Sequence, residues 1–168
     1  MTNHLKFAHI EYSLTTRSID IFSIGCDGHC EDRCNSEIKN WNVHGLDTLQ
    51  VVAKVVFLTT RYSRLVDRII LVGGDPVDAY NHYPSEYLSL ISQIKTLRKP
   101  IYLFTRHELN DIDPILLAQV DYVKTGPYIP SLSCEDNVQY DIKLATTNQK
   151  IYKVSDILDL RKMELTVS

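Results

Sequence analysis

The chain has 168 residues, 44% hydrophobic and 23% charged, with a net charge of −3. That length supports one well-buried domain and is short for two, and the mild acidity excludes the basic surface of a nucleic-acid binder. The start (MTNHLKFAHIEYS) lacks a cationic segment followed by an apolar run, and no stretch reaches the ~18 apolar residues of a membrane span. A cytoplasmic protein with neither a membrane nor a nucleic-acid partner is therefore expected. In that compartment disulfides are rare, and clustered cysteines more often hold metal or do redox chemistry.

In chain order, residues 7–14 (FAHIEYSL) alternate weakly, and residues 19–25 (IDIFSIG) read as a strand closed by glycine. Residues 46–62 place Leu46, Leu49, Val52, Ala53, Val56 and Phe57 at helical spacing. Asp47 falls in the first turn, where a carboxylate complements the helix dipole. Residues 68–74 (RIILVGG) have the pattern of a buried parallel strand. Residues 84–99 carry helix start signals, Pro84 in the first turn and Ser85 as a cap, ahead of periodic Leu88, Ile91 and Ile94.

Residues 100–105 (PIYLFT) predict another buried strand, and 107–119 one short helix or two fragments around Pro114. Residues 120–126 (VDYVKTG) predict a strand ending in glycine, and 149–154 (QKIYKV) one more. Residues 155–162 read as a last helical turn capped by Ser155, and 127–148 as an irregular polar segment. Strands alternating with helices predict a single α/β domain with a mostly parallel sheet and a core over about residues 7–154. In such sheets function gathers at the carboxyl ends of the strands. Glycine turns follow three of the strands, at Gly25, Gly73–Gly74 and Gly126, so the loop after Gly25 and the GGDP turn should share one edge.

Residues 26–34 (CDGHCEDRC) hold three of the four cysteines, as Cys26-x3-Cys30-x3-Cys34. One reading is a helix with a buried thiol stripe, since positions four apart share a face; Gly25, Gly28 and the charges of CEDRC disfavour it. A zinc site would need a fourth ligand, from His29, His44 or the distant Cys134. A third reading is an iron–sulfur cluster on three thiolates, with loop N–H groups turned to its sulfurs. Spacing leaves these open. In VGGDP (72–76), the two glycines let backbone approach a ligand closely, and Asp75 could orient an ammonium or hydroxyl group; a plain strand-to-helix turn is the simpler alternative.

The blocks GCDGHCEDRCNSE, GGDP, IYLFT, VDYVKTGPYIPSL and TTNQKIYKV together resemble the radical S-adenosylmethionine activating proteins of anaerobic ribonucleotide reductase, over nearly the whole chain from about Phe7 to Val154. The resemblance implies a shortened, open relative of the (β/α) barrel. It implies a [4Fe–4S] cluster on Cys26, Cys30 and Cys34, and S-adenosylmethionine held with the help of Gly73, Gly74 and Asp75; beside what the resemblance implies, Arg33 and Asn35 are expected on the cofactor side. Arg33 would lie near the adenine, because a guanidinium can stack on an aromatic plane. The implied activity is cleavage of S-adenosylmethionine to place a glycyl radical on the reductase. The implied partners are that reductase and an electron donor such as flavodoxin or ferredoxin.

The chain departs from the resembled pattern in two places. The family's usual spacing is C-x3-C-x2-C, one residue shorter than here, and Arg33 stands before the last cysteine where the family often has glycine. FTRHE stands where the family often has Thr-Gly, so Arg106 and His107 should reshape the pocket rim. A radical enzyme acting on another protein or a nucleoside, and a zinc-stabilised binding module, are the alternative functions. Residues 127–148, with Tyr128, Ile129 and Leu132 expected to be exposed, are the candidate docking surface or else a connection covering the sheet edge.

Overall fold

The computed structural model describes residues 4–28 and 36–159. One six-stranded sheet organises them. Strand β1 (Phe7–Ser13) pairs antiparallel with β2 (Ser18–Ser23), and β2 runs parallel to β3 (Arg68–Gly73). β4 (Ile101–Phe104) and β5 (Tyr122–Thr125) continue the parallel set. The last strand of this sheet, Lys150–Lys153, closes it antiparallel to β5. The order β1-β2-β3-β4-β5 and then the Lys150–Lys153 strand is linear, so the sheet is open, with β1 and the last strand as its two edges. A mixed α/β domain with a mostly parallel sheet is thus what the alternation of elements specifies.

Helices cover one face. α1 (Ser36–Lys39) follows the cysteine segment, α2 (Thr48–Arg61) links β2 to β3, and α3 (Pro76–His82) and α4 (Pro84–Lys95) link β3 to β4. Phe7, Ile19, Ile21, Val55, Leu71, Tyr87, Leu90, Ile91 and Leu103 are fully buried between sheet and helices. Helix α5 (Pro114–Leu117) follows a 3-10 turn at Leu109–Asp111, so residues 107–119 form two fragments, with Pro114 opening the second.

The other face is covered by residues 127–148. They contain a 3-10 turn at Pro130–Leu132 and a short hairpin of β6 (Val138–Gln139) and β7 (Ile142–Lys143). Buried Ile142 and Leu144 of this segment pack with Ile70, Tyr102 and Ile151 of the sheet. The segment lies on a sheet face rather than along an edge. Tyr128 and Ile129 are half-buried instead of exposed, while Leu132 is 38% exposed.

Three other expectations need correction. On α2 the buried residues are Val51, Val55 and Thr59, while Leu49 and Phe57 of the expected stripe are 76% and 59% exposed. Several apolar stripes could be drawn on this Val-rich helix, and packing onto β1, β2 and α4 selects the one that periodicity did not. Helix α4 starts at Pro84 after Tyr83, which offers no side-chain cap, and Ser85 lies inside the first turn. Residues 154–159 are helical, so Ser155 is likewise inside its helix. Asp47, by contrast, is the N-cap of α2. Its carboxylate accepts from Gln50 N–H (2.8 Å), and the Gln50 side chain accepts from Asp47 N–H (3.0 Å), a reciprocal capping box.

Candidate cluster site

Parallel pairing aligns the carboxyl ends of the central strands. Ser23 pairs with Gly73 at the ends of β2 and β3, Leu71 with Leu103, and Phe104 with Lys124. The residues that follow each strand therefore converge on one edge. They line a cavity of about 210 Å³ whose walls include Cys26, Gly73, Gly74, Asp75, Arg106 and Lys124. This is somewhat below the ~300–1,000 Å³ of a typical small-molecule site, and residues 29–35, which follow Gly28, lie outside the described set.

The first wall is the start of the cysteine loop. Gly25 N–H donates to the Ile38 carbonyl (2.7 Å) and Cys26 N–H to the Lys39 carbonyl (3.2 Å), so α1 holds the loop from outside. Cys26 is 8% exposed, and Gly28 N–H donates to its Sγ (3.3 Å). Burial pushes the Cys26 thiol up, while the Gly28 N–H and the Arg106 guanidinium pull it back towards the thiolate. Asp27 accepts from Trp41 Nε1 (3.0 Å) and pairs with His82 Nε2 (2.9 Å), and the Trp41 and His82 rings pack at 4.1 Å.

The second wall is the glycine turn. Gly74 N–H donates to the Ser23 carbonyl and Asp75 N–H to the Gly25 carbonyl, each at 2.9 Å, so this turn is bonded to the cysteine loop's own backbone. A Cβ on Gly74 would lie 2.2 Å from the Gly25 oxygen, a contact only glycine permits. Asp75 is 2% exposed and caps α3, accepting from Val77 N–H (2.9 Å). Its carboxylate also accepts from Thr105 Oγ1 (2.8 and 2.9 Å) and Arg106 N–H (2.9 Å). Burial raises Asp75 above its ordinary value despite these donors. These bonds fix the shape of the turn that presents Gly73 and Gly74.

The third wall follows β4. Asp78, one turn along α3 from Asp75 and 3% exposed, accepts from Asp27 N–H (2.8 Å) and Arg106 Nη2 (2.9 and 3.2 Å) and pairs with His107 Nε2 (2.7 Å). Burial alone would raise its carboxyl, but the Asp27 N–H, His107 and Arg106 outweigh that and hold it low. Asp75, Asp78 and His107 bring three ligand atoms within 4.8 Å of one another. The Arg106 guanidinium already supplies the positive charge there, so this group is an ion-pair network in its own right.

Of the expected thiolates, Cys26 reaches the cavity, while Cys30, Cys34, His29, Arg33 and Asn35 lie outside the described residues. His44 lines a separate groove with His9 and Ile24. Cys134 is half-buried, its N–H bonded to the Ala145 carbonyl (3.1 Å), and does not line the cavity. Asp78 was not foreseen, although a second carboxylate three residues after Asp75, on one helical face, was a readable signal.

The donor set suits an iron–sulfur cluster. A thiol opens on the cavity beside an N–H donor to its sulfur, and the buried Arg106 Nε–H near it has no hydrogen-bond partner among the described residues. The profile of a family described as "4Fe-4S single cluster domain" matches residues 16–152, most of the chain. No curated protein matches the chain.

Proposed function

The chain belongs to the 4Fe-4S single cluster domain family, and from that premise we propose that it is a radical S-adenosylmethionine activating enzyme of anaerobic ribonucleotide reductase. The observation that carries this reading is the backbone bonding of the Gly73–Gly74–Asp75 turn to the Gly25–Cys26 segment at one sheet edge. That bonding supports reading Cys26 as a thiolate ligand and the glycine bend as the neighbouring cofactor contact. The open sheet supports the companion reading of a shortened relative of the (β/α) barrel.

When bound on Cys26, Cys30 and Cys34, a [4Fe–4S] cluster would supply the low-potential electron for reductive cleavage of S-adenosylmethionine, the chemistry that leads to hydrogen-atom removal from a backbone glycine of the reductase. The chain's own residues place and enclose. Cys26, with Cys30 and Cys34, serves as thiolate ligand, and Gly28 N–H supports the Cys26 sulfur. Gly73 and Gly74 offer close backbone approach to the methionine end of the cofactor, in the shape that Asp75 fixes through Thr105 and Arg106. Arg33 and Asn35, outside the described residues, would serve the cofactor side, Arg33 near the adenine. Electrons come from a flavodoxin- or ferredoxin-type donor in the cytoplasm. The half-buried Tyr128, which lines the cavity, and the neighbouring Ile129 and Leu132 form the reductase contact.

The test is anaerobic reconstitution, dithionite reduction and addition of S-adenosylmethionine. Deoxyadenosine should form, and addition of the glycyl-radical reductase should yield a protein-radical resonance. Absence of deoxyadenosine would refute cofactor cleavage. Deoxyadenosine without a radical on the reductase would instead point to another protein or a nucleoside as substrate.

A further inference from the structure

Arg106 is fixed at both ends. Its backbone N–H donates to Asp75 Oδ2 (2.9 Å), and its Nη2 reaches both oxygens of Asp78 (2.9 and 3.2 Å). Asp78 is in turn set by Asp27 N–H and His107, so the guanidinium cannot swing out without breaking a buried network. Gly28 makes room for it: a Cβ there would lie 2.2 Å from Arg106 Nε. Arg106 and Cys26 line the same cavity, and Gly28 N–H already donates to the Cys26 sulfur. The Arg106 Nε–H is buried and makes no hydrogen bond among the described residues. Buried donors without a partner are rare enough to require a cause, and a cluster carried on Cys26 would supply the missing acceptor.

We propose that Arg106 is a positioning residue that sets the reduction potential of the cluster, its guanidinium held by Asp78 beside the Cys26 sulfur and its Nε–H turned to the sulfurs. This rests on the reading above that Cys26 is a cluster ligand. Positive charge and N–H donors at cluster sulfurs favour the electron-rich reduced state and raise the potential. The carboxylates of Asp75 and Asp78 oppose it. Both are turned to protein donors, Asp75 to Val77 N–H and Thr105 Oγ1, and Asp78 to Asp27 N–H and to Arg106 itself. The net effect of Arg106 is therefore upward.

The experiment is a redox titration of the reconstituted full chain, followed by electron paramagnetic resonance, for wild type, Arg106→Gln and Arg106→Lys. Arg106→Gln should shift the potential downward by about tenfold in the reduced-to-oxidised ratio, or about 59 mV for one electron. Arg106→Lys keeps the charge and should fall between it and wild type. If Arg106→Gln cannot be loaded, Arg106→Lys against wild type decides, with a smaller downward shift expected. Potentials unchanged or raised in every loaded variant would overturn the proposal while leaving the cluster reading intact. A wild-type chain that takes up no four-iron cluster would overturn both.

Discussion

Gly74 and Gly25 meet backbone to backbone: the turn after β3 is bonded to the carbonyls of Ser23 and Gly25, and no side chain at position 74 fits beneath the Gly25 oxygen. Gly74→Ala must push the two loops apart. A loss of about 1–3 kcal/mol is expected from overpacking, read by urea unfolding, together with reduced iron uptake. Full stability with full uptake would show that the contact is not needed.

Asp78 joins the cysteine loop to Arg106 and His107 through one buried carboxylate. Asp78→Asn keeps the shape but loses the charge and an acceptor position. The expected cost is about 1.5–3 kcal/mol, typical of a hydrogen bond to a charged group. Faster amide exchange at Asp27 in the variant checks that the loop is what loosens; unchanged exchange would place the effect elsewhere.

The Tyr80 hydroxyl donates to Asp113 Oδ2 (2.7 Å), and burial with that neighbouring carboxylate pushes its pKa up to about 12 from 10.0. A folded value above the unfolded one means a contribution fully present below pH 10 and lost as pH rises to about 12. Stability should fall across that window, and less steeply in Tyr80→Phe. Tyr87 and Tyr102 are also raised and will supply the remaining slope. Equal slopes in variant and wild type would rule out a role for the Tyr80–Asp113 bond.

The two faces of α2 give a plain comparison. Val51→Ala and Val55→Ala remove fully buried side chains and should each cost about 1.5–3 kcal/mol. Leu49→Ser, at a position 76% exposed, should change stability by about 0.5 kcal/mol or less. Chemical denaturation of the three variants ranks them, and the reverse order would mean that the helix is rotated.

The contrast between α2 and β3 shows what was legible in the sequence. RIILVGG announces a buried parallel strand because Ile69 to Val72 run apolar without a break up to the glycines, and no choice of face is required. On α2 valines and leucines occupy several faces, and only the sheet and α4 decide which is buried. Helix α3 escaped notice because its seven residues, PVDAYNH, carry too few apolar positions to show a helical period. The hairpin in 127–148 escaped because two-residue strands leave no periodicity to read. At the site, the meeting of Cys26 with Gly73–Gly74 followed from strands ending in glycine, a local signal. The Asp78–Arg106–Asp27 linkage joins residues 28 and 51 positions apart, and only the fold brings them together.

Iron and acid-labile sulfide, counted after anaerobic reconstitution in wild type and Cys26→Ala, test the central claim most directly. About four of each per wild-type chain is expected, with a resonance after reduction that changes when S-adenosylmethionine is added and a marked loss of cluster in Cys26→Ala. About one zinc with no sulfide, or a Cys26→Ala chain that loads as well as wild type, would contradict it.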